Sequence, residues 1–95
     1  MAVTDATRFP CPCCGYLTLE EEPPGTFDIC PVCHWEDDNV QFDDPSREGG
    51  ANRVSLTDAR RNYLQIGASS PDCLEHVREP LPNERPGGLN PASDT

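Results

Sequence analysis

Two short cysteine motifs decide the fold of this chain: Cys11-Pro-Cys-Cys-Gly15 and Cys30-Pro-Val-Cys-His34. Two residues separate the outer thiols within each motif, and fifteen residues separate Cys14 from Cys30. A two-residue gap lets one tight turn present two sulfurs to the same tetrahedral ion, and two such motifs in one chain are typical of structural zinc sites. The predicted ligands of one Zn²⁺ ion are the outer thiols Cys11, Cys14, Cys30 and Cys33.

Other residues near the motifs leave alternatives open. Cys13 and His34 are possible alternative ligands, but a Cys13 ligand requires a one-residue step or an adjacent pair, and both are hard to place on a tetrahedron. Cys13 is also a candidate redox thiol, exposed beside an electropositive centre that activates it, although an unreactive residue at the tip of the turn is the preferred interpretation. Four thiolates accept iron as well as zinc, as in a rubredoxin-like site. Further along the chain, we interpret Cys73 as a packing residue and His76 as a solvated one.

The composition explains why this chain needs a metal. Its 95 residues carry a net charge of −10. Leu, Ile, Val and Phe supply 17 of the 95 residues, and so low a share at this charge is typical of chains that do not fold by hydrophobic burial alone. Zinc binding contributes about 10–16 kcal/mol in finger peptides, comparable to the net stability of about 5–15 kcal/mol of ordinary domains. We expect one small domain that is largely unfolded without its metal.

The charge and the N-terminal sequence also indicate a compartment and a class of partner. The stretch Met1–Phe9 has no apolar run and predicts neither a secretory signal nor a membrane anchor. We therefore expect a cytoplasmic protein whose thiols stay reduced. An acidic chain without Lys lacks the clustered positive charge needed to bind nucleic acids or anionic membranes. We expect a monomer whose partner is another protein with a basic surface.

Changes of composition divide the chain into three regions. Residues 1–8 are predicted to form a disordered tail, residues 9–79 a single metal-binding domain, and residues 80–95 a Pro-rich tail. Because few apolar residues follow Pro80, we expect this last tail to be extended or mobile, with Leu81 docking on the domain.

A β-hairpin is predicted between the two motifs. Tyr16–Leu19 and Thr26–Ile29 are β-prone, and the intervening Glu20–Gly25 contains two Pro and a Gly, which favour a turn. Alternation places Leu17 and Leu19 on one face, which should meet the apolar face of the second strand beside the cysteines.

Two helices are predicted in the second half of the chain. Ser55 is an N-cap signal, the apolar residues from Leu56 recur at helical spacing, and Gly67 is a stop signal. A shorter helix follows, with Ser70 as N-cap and Pro71 in its first turn. Neither helix is long enough to persist unless it packs against something. The expected fold class is a small metal-stabilised α+β protein: zinc-ribbon-like or rubredoxin-like knuckles on a β-hairpin, with one amphipathic helix and a short second helix.

An acidic loop, residues 36–50, lies between the second motif and the first predicted helix. Its carboxylates are expected to be solvated or paired with arginines, and the alternative is a second site for a hard cation. Asn52 is expected to hydrogen-bond the loop backbone and fix the entry into the helix, and Trp35 to cover the metal site as a core residue. The arginines considered as partners are Arg47, Arg53, Arg60 and Arg61.

Six short motifs follow one another along the chain: Phe9-Pro-Cys-Pro-Cys-Cys-Gly-Tyr16, Ile29-Cys-Pro-Val-Cys33, Trp35-Glu-Asp-Asp38, Gly49-Gly-Ala-Asn52, Val54-Ser-Leu56 and Ala59-Arg-Arg-Asn-Tyr63. Their order and spacing, from about Phe9 to Arg78, resemble the bacterial cysteine-rich CPCC family. His34 departs from the family pattern, in which an aromatic or small residue is more usual. The resemblance implies a small, zinc-binding protein of uncharacterised role, and it implies no reaction.

These observations favour a binding protein over an enzyme. A site closed by four thiolates leaves no position for substrate, and the sequence contains no catalytic constellation. The expected function is that of a zinc-stabilised interaction or adaptor module. Two alternatives are a thiol-redox or metal-handling protein that uses Cys13 beside the metal, and a hydrolase that uses the acidic loop with a second metal.

Overall fold

Two short strands and two α-helices surround the cysteine motifs in the computed structural model, which describes residues 8–86. The predicted N-terminal tail and the end of the C-terminal tail lie outside these residues, apart from Arg8. The elements are β1 (Phe9–Pro10), β2 (Leu17–Leu19), α1 (Asn39–Asp43), α2 (Leu56–Ile66) and two 3₁₀ helices, Pro71–His76 and Pro82–Glu84. No helix within residues 8–86 is both long enough and apolar enough to cross a bilayer.

The two strands form an antiparallel hairpin across the first cysteine motif. Phe9 lies opposite Leu19, and Pro10 lies opposite Leu17. A β-hairpin is therefore confirmed and β2 lies in the predicted segment, but the predicted pairing of that segment with Thr26–Ile29 is wrong.

Thr26–Ile29 instead pairs across the second cysteine motif. Ile29 forms an antiparallel bridge with Glu36, and the Phe27 N–H donates to the Asp37 carbonyl at 2.9 Å. Phe27 and Ile29 are about half exposed, so they do not form the expected apolar surface with β2. The physical reason is that each cysteine turn reverses the chain, and the nearest partner of each extended segment is then the other arm of its own turn.

Helix α2 has the predicted start and end. The Ser55 hydroxyl accepts the Asp58 N–H at 3.0 Å, and Gly67 ends the helix with a left-handed φ of 81°. Leu56 and Ala59 are fully buried and belong to the core cluster that contains the cysteines. This helix is stable because its apolar face packs on the cysteine turns.

The second predicted helix is a 3₁₀ helix, and the C-terminal segment folds back as a second one. Ser70 precedes the first without a side-chain cap bond; its hydroxyl lies 3.4 Å from the sulfur of Cys73 instead. The expected docking of Leu81 is wrong, because this side chain is about half exposed. The residue that is buried is Glu84, which receives two hydrogen bonds from Arg78 at 2.9 and 2.8 Å. These bonds hold the pKa of Glu84 below its usual range.

The acidic region is more ordered than expected, because two of its carboxylates are buried and accept hydrogen bonds from the chain. Asp38 accepts the N–H groups of Val40, at the start of α1, and of Ala51, and these bonds, that of Ala51 foremost, lower its pKa. Asp37 accepts both the N–H and the hydroxyl of Thr26. The expectation that the loop carboxylates are solvated or paired with arginines is wrong for these two. Two of those arginines have other partners, in the pairs Arg53–Asp72 and Arg61–Asp58.

A buried amide closes the segment between α1 and α2. The Gln41 side chain is fully buried and donates to the carbonyls of Arg47, Asn52 and Val54, each at 3.1 Å. Gly50 passes so close that an added Cβ would lie 2.7 Å from Asp38 Oδ2 and 2.9 Å from the Gln41 amide carbon. The loop is therefore closed around a buried, hydrogen-bonded amide.

Candidate metal centre

Four sulfurs converge where the two cysteine turns meet. The Sγ atoms of the four predicted ligands all lie within 4.8 Å of one another, and they belong to Cys11, Cys14, Cys30 and Cys33. The Cys11 and Cys33 sulfurs are 3.6 Å apart, and the Cys14 and Cys30 sulfurs are 3.7 Å apart. A tetrahedron with sulfurs about 2.3 Å from a central zinc ion has edges of about 3.8 Å. The cluster therefore has the size of four ligands around one ion, and all its thiols are free.

The first cysteine turn positions its sulfurs through the backbone. The Cys11 N–H donates to the Tyr16 carbonyl at 2.9 Å and the Gly15 N–H to the Cys11 carbonyl at 2.8 Å. Gly15 has a φ of 83°, a left-handed conformation that glycine adopts without strain. The N–H that points at a sulfur is that of Cys13, 3.4 Å from Cys11 Sγ, and such a bond stabilises a thiolate.

The second turn repeats this pattern residue for residue. The Cys30 N–H donates to the Trp35 carbonyl at 2.9 Å and the His34 N–H to the Cys30 carbonyl at 2.7 Å. The Val32 N–H lies 3.4 Å from Cys30 Sγ. His34 takes the position of the first turn's glycine, with a φ of 72°. In addition, the Thr18 hydroxyl donates to Cys30 Sγ at 3.0 Å, a bond without a counterpart in the first turn.

Neither alternative ligand joins the four sulfurs. Cys13 is 8% exposed, and in the repeat of the turns it matches Val32, which is fully buried. The expectation of an exposed Cys13 thiol is therefore wrong. The His34 ring stacks on His76, with centroids 4.8 Å apart. Within residues 8–86, the four sulfurs are the only group of three or more side chains whose ligand atoms converge in this way.

The thiols of the cluster shift one another's pKa. Hydrogen bonds from the neighbouring thiols, that of Cys11 foremost, lower the pKa of Cys30, and the Thr18 hydroxyl adds to this effect. Hydrogen bonds with Cys11 and Cys30 raise the pKa of Cys14, and those with Cys11 and the neighbouring thiols, Cys13 among them, raise the pKa of Cys33. Soft sulfur donors in this arrangement suit zinc or iron, and such an ion displaces thiol protons when it binds.

The comparison with protein families fits this site. A family model described as cysteine-rich CPCC matches residues 9–84. The chain belongs to the cysteine-rich CPCC family. The match confirms the resemblance and extends it to Glu84, the residue whose carboxylate anchors the C-terminal segment. A search of curated proteins found no match.

Residues outside the two cysteine motifs hold the second turn of this CPCC protein in place. Asn52 accepts the Glu36 N–H at 2.9 Å and donates to the Glu36 carbonyl at 2.8 Å. This confirms the expectation that Asn52 binds loop backbone, and it fixes the chain directly after Trp35. The Trp35 side chain is buried in the core that contains the cysteines, as expected.

Some residues around the CPCC cluster give weak sequence signals. Thr18 and Glu84 look like an ordinary strand residue and a tail residue, and only the folded chain brings them to the sulfur and to Arg78. Gln41 does carry a signal, because it stands three residues after the capping Asp38, the spacing of a capping box. Cys73 is partly buried beside the hydroxyls of Ser69 and Ser70.

Proposed function

We propose that this CPCC protein binds one Zn²⁺ ion through its four clustered thiols and that the ion stabilises a small non-enzymatic module. We further propose that the module acts in the cytoplasm and binds another protein with a basic surface. The observation that carries the metal assignment is the convergence of Cys11, Cys14, Cys30 and Cys33 at distances that fit one tetrahedral ion.

A structural rather than catalytic ion is supported by the burial of the cluster. Cys11, Cys30 and Cys33 are buried and Cys14 is partly buried. Four thiolates fill the coordination of zinc and leave no position for water or substrate. Bound zinc would supply a charge-compensated crosslink between the two turns. This crosslink would compensate for a core in which cysteines outnumber the large aliphatic side chains.

The charge of the chain supports a basic partner. The net charge is −10, and the exposed carboxylates attract a positively charged surface over a distance set by salt. Electrostatic attraction of this kind raises the rate of association more than the affinity.

Elemental analysis and an absorption spectrum of the purified protein test the metal assignment. We expect one zinc per chain and no visible colour, whereas a ferric tetrathiolate would be red. Strong chelation should abolish the cooperative thermal transition. A protein that carries no metal, or that keeps its transition after chelation, would contradict the proposal.

The partner assignment needs a separate measurement. We expect the zinc-loaded protein to bind a fluorescein-labelled Arg-rich peptide and not the matched Glu-rich peptide. Fluorescence anisotropy should show weaker binding at 300 mM than at 50 mM salt, because salt screens the attraction. Equal affinity for both peptides would exclude a charge-selected partner.

A further inference from the structure

An apolar pocket lies next to the first cysteine turn. Three segments form it: the chain from β1 into the turn, the loop after β2, and helix α1. Its volume is about 270 Å³, and its lining residues are Phe9, Pro10, Cys11, Pro12, Glu22, Pro23 and Phe42. All but one of these side chains lack a charge, which makes this a hydrophobic recess on a strongly acidic protein.

The size of the pocket restricts what it accepts. Pockets for whole small-molecule ligands usually enclose about 300–1,000 Å³, so this one suits a single large side chain of a partner. Phe42 is 37% exposed, and Val40 on the same helix is also exposed. Apolar side chains that stay exposed beside a pocket are typical of a contact surface, in which one anchor residue is buried on binding.

The charges at the rim select the rest of the occupant. Glu22 belongs to the lining, and other exposed carboxylates flank the lining residues in sequence, namely Glu20, Glu21, Asp43 and Asp44. None of these five carboxylates forms an ion pair with another residue in the range 8–86. Two positive charges are close by: Arg60 donates to the Pro12 carbonyl at 2.9 Å, and Arg8 precedes Phe9 and donates to the Thr18 carbonyl at 3.5 Å. The five carboxylates outnumber these two arginines, so the rim favours a cationic segment.

We propose that this pocket is the docking site for an extended, basic segment of a partner protein. The segment inserts one large apolar side chain between Phe9, Pro23 and Phe42, and its Arg or Lys residues pair with Glu22 and the neighbouring carboxylates. The inference rests on the proposed function for the sign of the partner's charge. It adds the location of the interface and the requirement for an apolar anchor.

The test uses three labelled peptides with the zinc-loaded protein. One has a central Leu between Arg residues, the second replaces this Leu with Ser, and the third replaces the Arg residues with Glu. By anisotropy at 50 mM salt, we expect the Leu–Arg peptide to bind about tenfold tighter than the Ser peptide, as truncation of a buried anchor requires. In ¹⁵N NMR spectra, the largest shifts should fall on the amides of the pocket lining.

Matched variants separate the pocket from general charge. Phe42→Ala should weaken binding of the Leu–Arg peptide about tenfold and Glu22→Gln about twofold to fivefold. The controls are Leu64→Ala, an 85% exposed apolar residue on α2, and Glu75→Gln on the first 3₁₀ helix, neither of which should change the affinity. Metal content and circular dichroism establish that each variant is folded. If Phe42→Ala does not fold, the NMR shifts of the unmodified protein still show whether the peptide binds at the pocket.

The outcomes distinguish this inference from the proposed function. Binding of both Arg peptides with equal affinity, unchanged by Phe42→Ala or with NMR shifts elsewhere, would overturn the pocket and leave a basic partner standing. Absence of binding to either Arg peptide at low salt would overturn the basic partner and the pocket together. Neither result bears on the bound metal, which elemental analysis decides separately.

Discussion

The two cysteine turns make the same backbone hydrogen bonds but carry different side chains at three matching positions. The matched pairs are Cys13 and Val32, Gly15 and His34, and Tyr16 and Trp35. Sulfur geometry is therefore set by the backbone of a six-residue turn. The side chains between and after the ligands are free to serve the surroundings of each turn.

Those surroundings differ. An exposed side chain holds the first turn, because Arg60 donates to the Pro12 carbonyl. The Tyr16 ring of this turn contacts Tyr63 edge-on, with centroids 6.3 Å apart. The second turn is held by the buried Trp35 side chain and by the Asn52 bonds to the Glu36 backbone. The first turn should consequently be the more exposed and the more easily opened of the two.

The largest expected effect breaks both turns at once. Cys11→Ser in the first turn and Cys30→Ser in the second should each reduce the metal content from one ion per chain to nearly none, with loss of the cooperative thermal transition. The expected loss approaches the about 10–16 kcal/mol that a structural zinc ion contributes. Cys73→Ser, outside the cluster, is the control and should keep both properties. If one ligand variant kept its ion, the turns would not be equivalent.

The next effect concerns the segment that packs on β2, next to the first turn. Glu84→Gln should lower the free energy of unfolding by about 1.5–3 kcal/mol at pH 7, since it weakens charge-assisted bonds in a buried site. The pKa of Glu84 is lowered in the folded state, so its contribution is present above the unfolded pKa of about 4.3 and is lost as the pH falls through the folded value.

Urea denaturation of both proteins at several pH values measures this contribution. The stability difference between the unmodified protein and Glu84→Gln should be constant near neutrality and shrink below about pH 4.3. Glu79→Gln, at an exposed position, is the control. Acid should release the metal equally from the unmodified protein, Glu84→Gln and Glu79→Gln, so this effect cancels in the comparison. In Glu84→Gln, the rate of amide hydrogen exchange should rise more at β2 than at Trp35, relative to the unmodified protein. An equal rise at both places would remove the distinction between the turns.

A smaller effect is expected at Cys30 Sγ, which accepts an additional hydrogen bond from the Thr18 hydroxyl. Thr18→Val removes the hydroxyl bonded to Cys30 Sγ with little change of shape, and we expect a loss of about 1.5 kcal/mol and metal binding weaker by about tenfold. Competition with a zinc-binding dye measures the affinity. Thr57→Val, on an exposed position of α2, provides the matched control. An unchanged affinity would mean that Cys11 and Cys30, the first cysteines of the two turns, are electrostatically alike.

Local signals in the sequence predicted the parts of this structure that local physics determines. The ligand spacing predicted the four-sulfur cluster, and Ser55 and Gly67 predicted both ends of α2, because a cap bonds within its own turn. Strand pairing failed because it depends on which segments the cysteine turns bring together. The burial of Glu84 was equally hidden, since nothing in a Pro-rich segment indicates that Arg78 will offer it a bidentate partner.

Substitutions at Gly15 and His34, the residues that end the two turns, sharpen the comparison further. Gly15→Ala should destabilise the protein by about 1 kcal/mol, because alanine resists a left-handed conformation while its Cβ would meet nothing within 4 Å. His34→Gly relieves the same strain but loses the stack on His76, so its net effect should be smaller. Chemical denaturation of both variants checks this, and a large loss in His34→Gly would show that the stack outweighs the strain.

The smallest effect is expected where the first turn is made to resemble the second. Cys13→Val places in one turn the residue that the other already buries, so the stability should change by less than about 1 kcal/mol. The metal content, by elemental analysis, should stay at one ion per chain. A Cys13→Val protein that lost its ion would identify Cys13 as a ligand and undo the matching of the turns.

Gly50 has a consequence for how this sequence can vary. Its backbone lies against Asp38 Oδ2 and the Gln41 amide, with no space for even a methyl group. A side chain there would displace the Asp38 carboxylate oxygen that accepts the Ala51 N–H, or the Gln41 amide that holds the loop carbonyls. Glycine at this position, far from the sulfurs in sequence, thus keeps closed the segment that places Asn52 against the second turn.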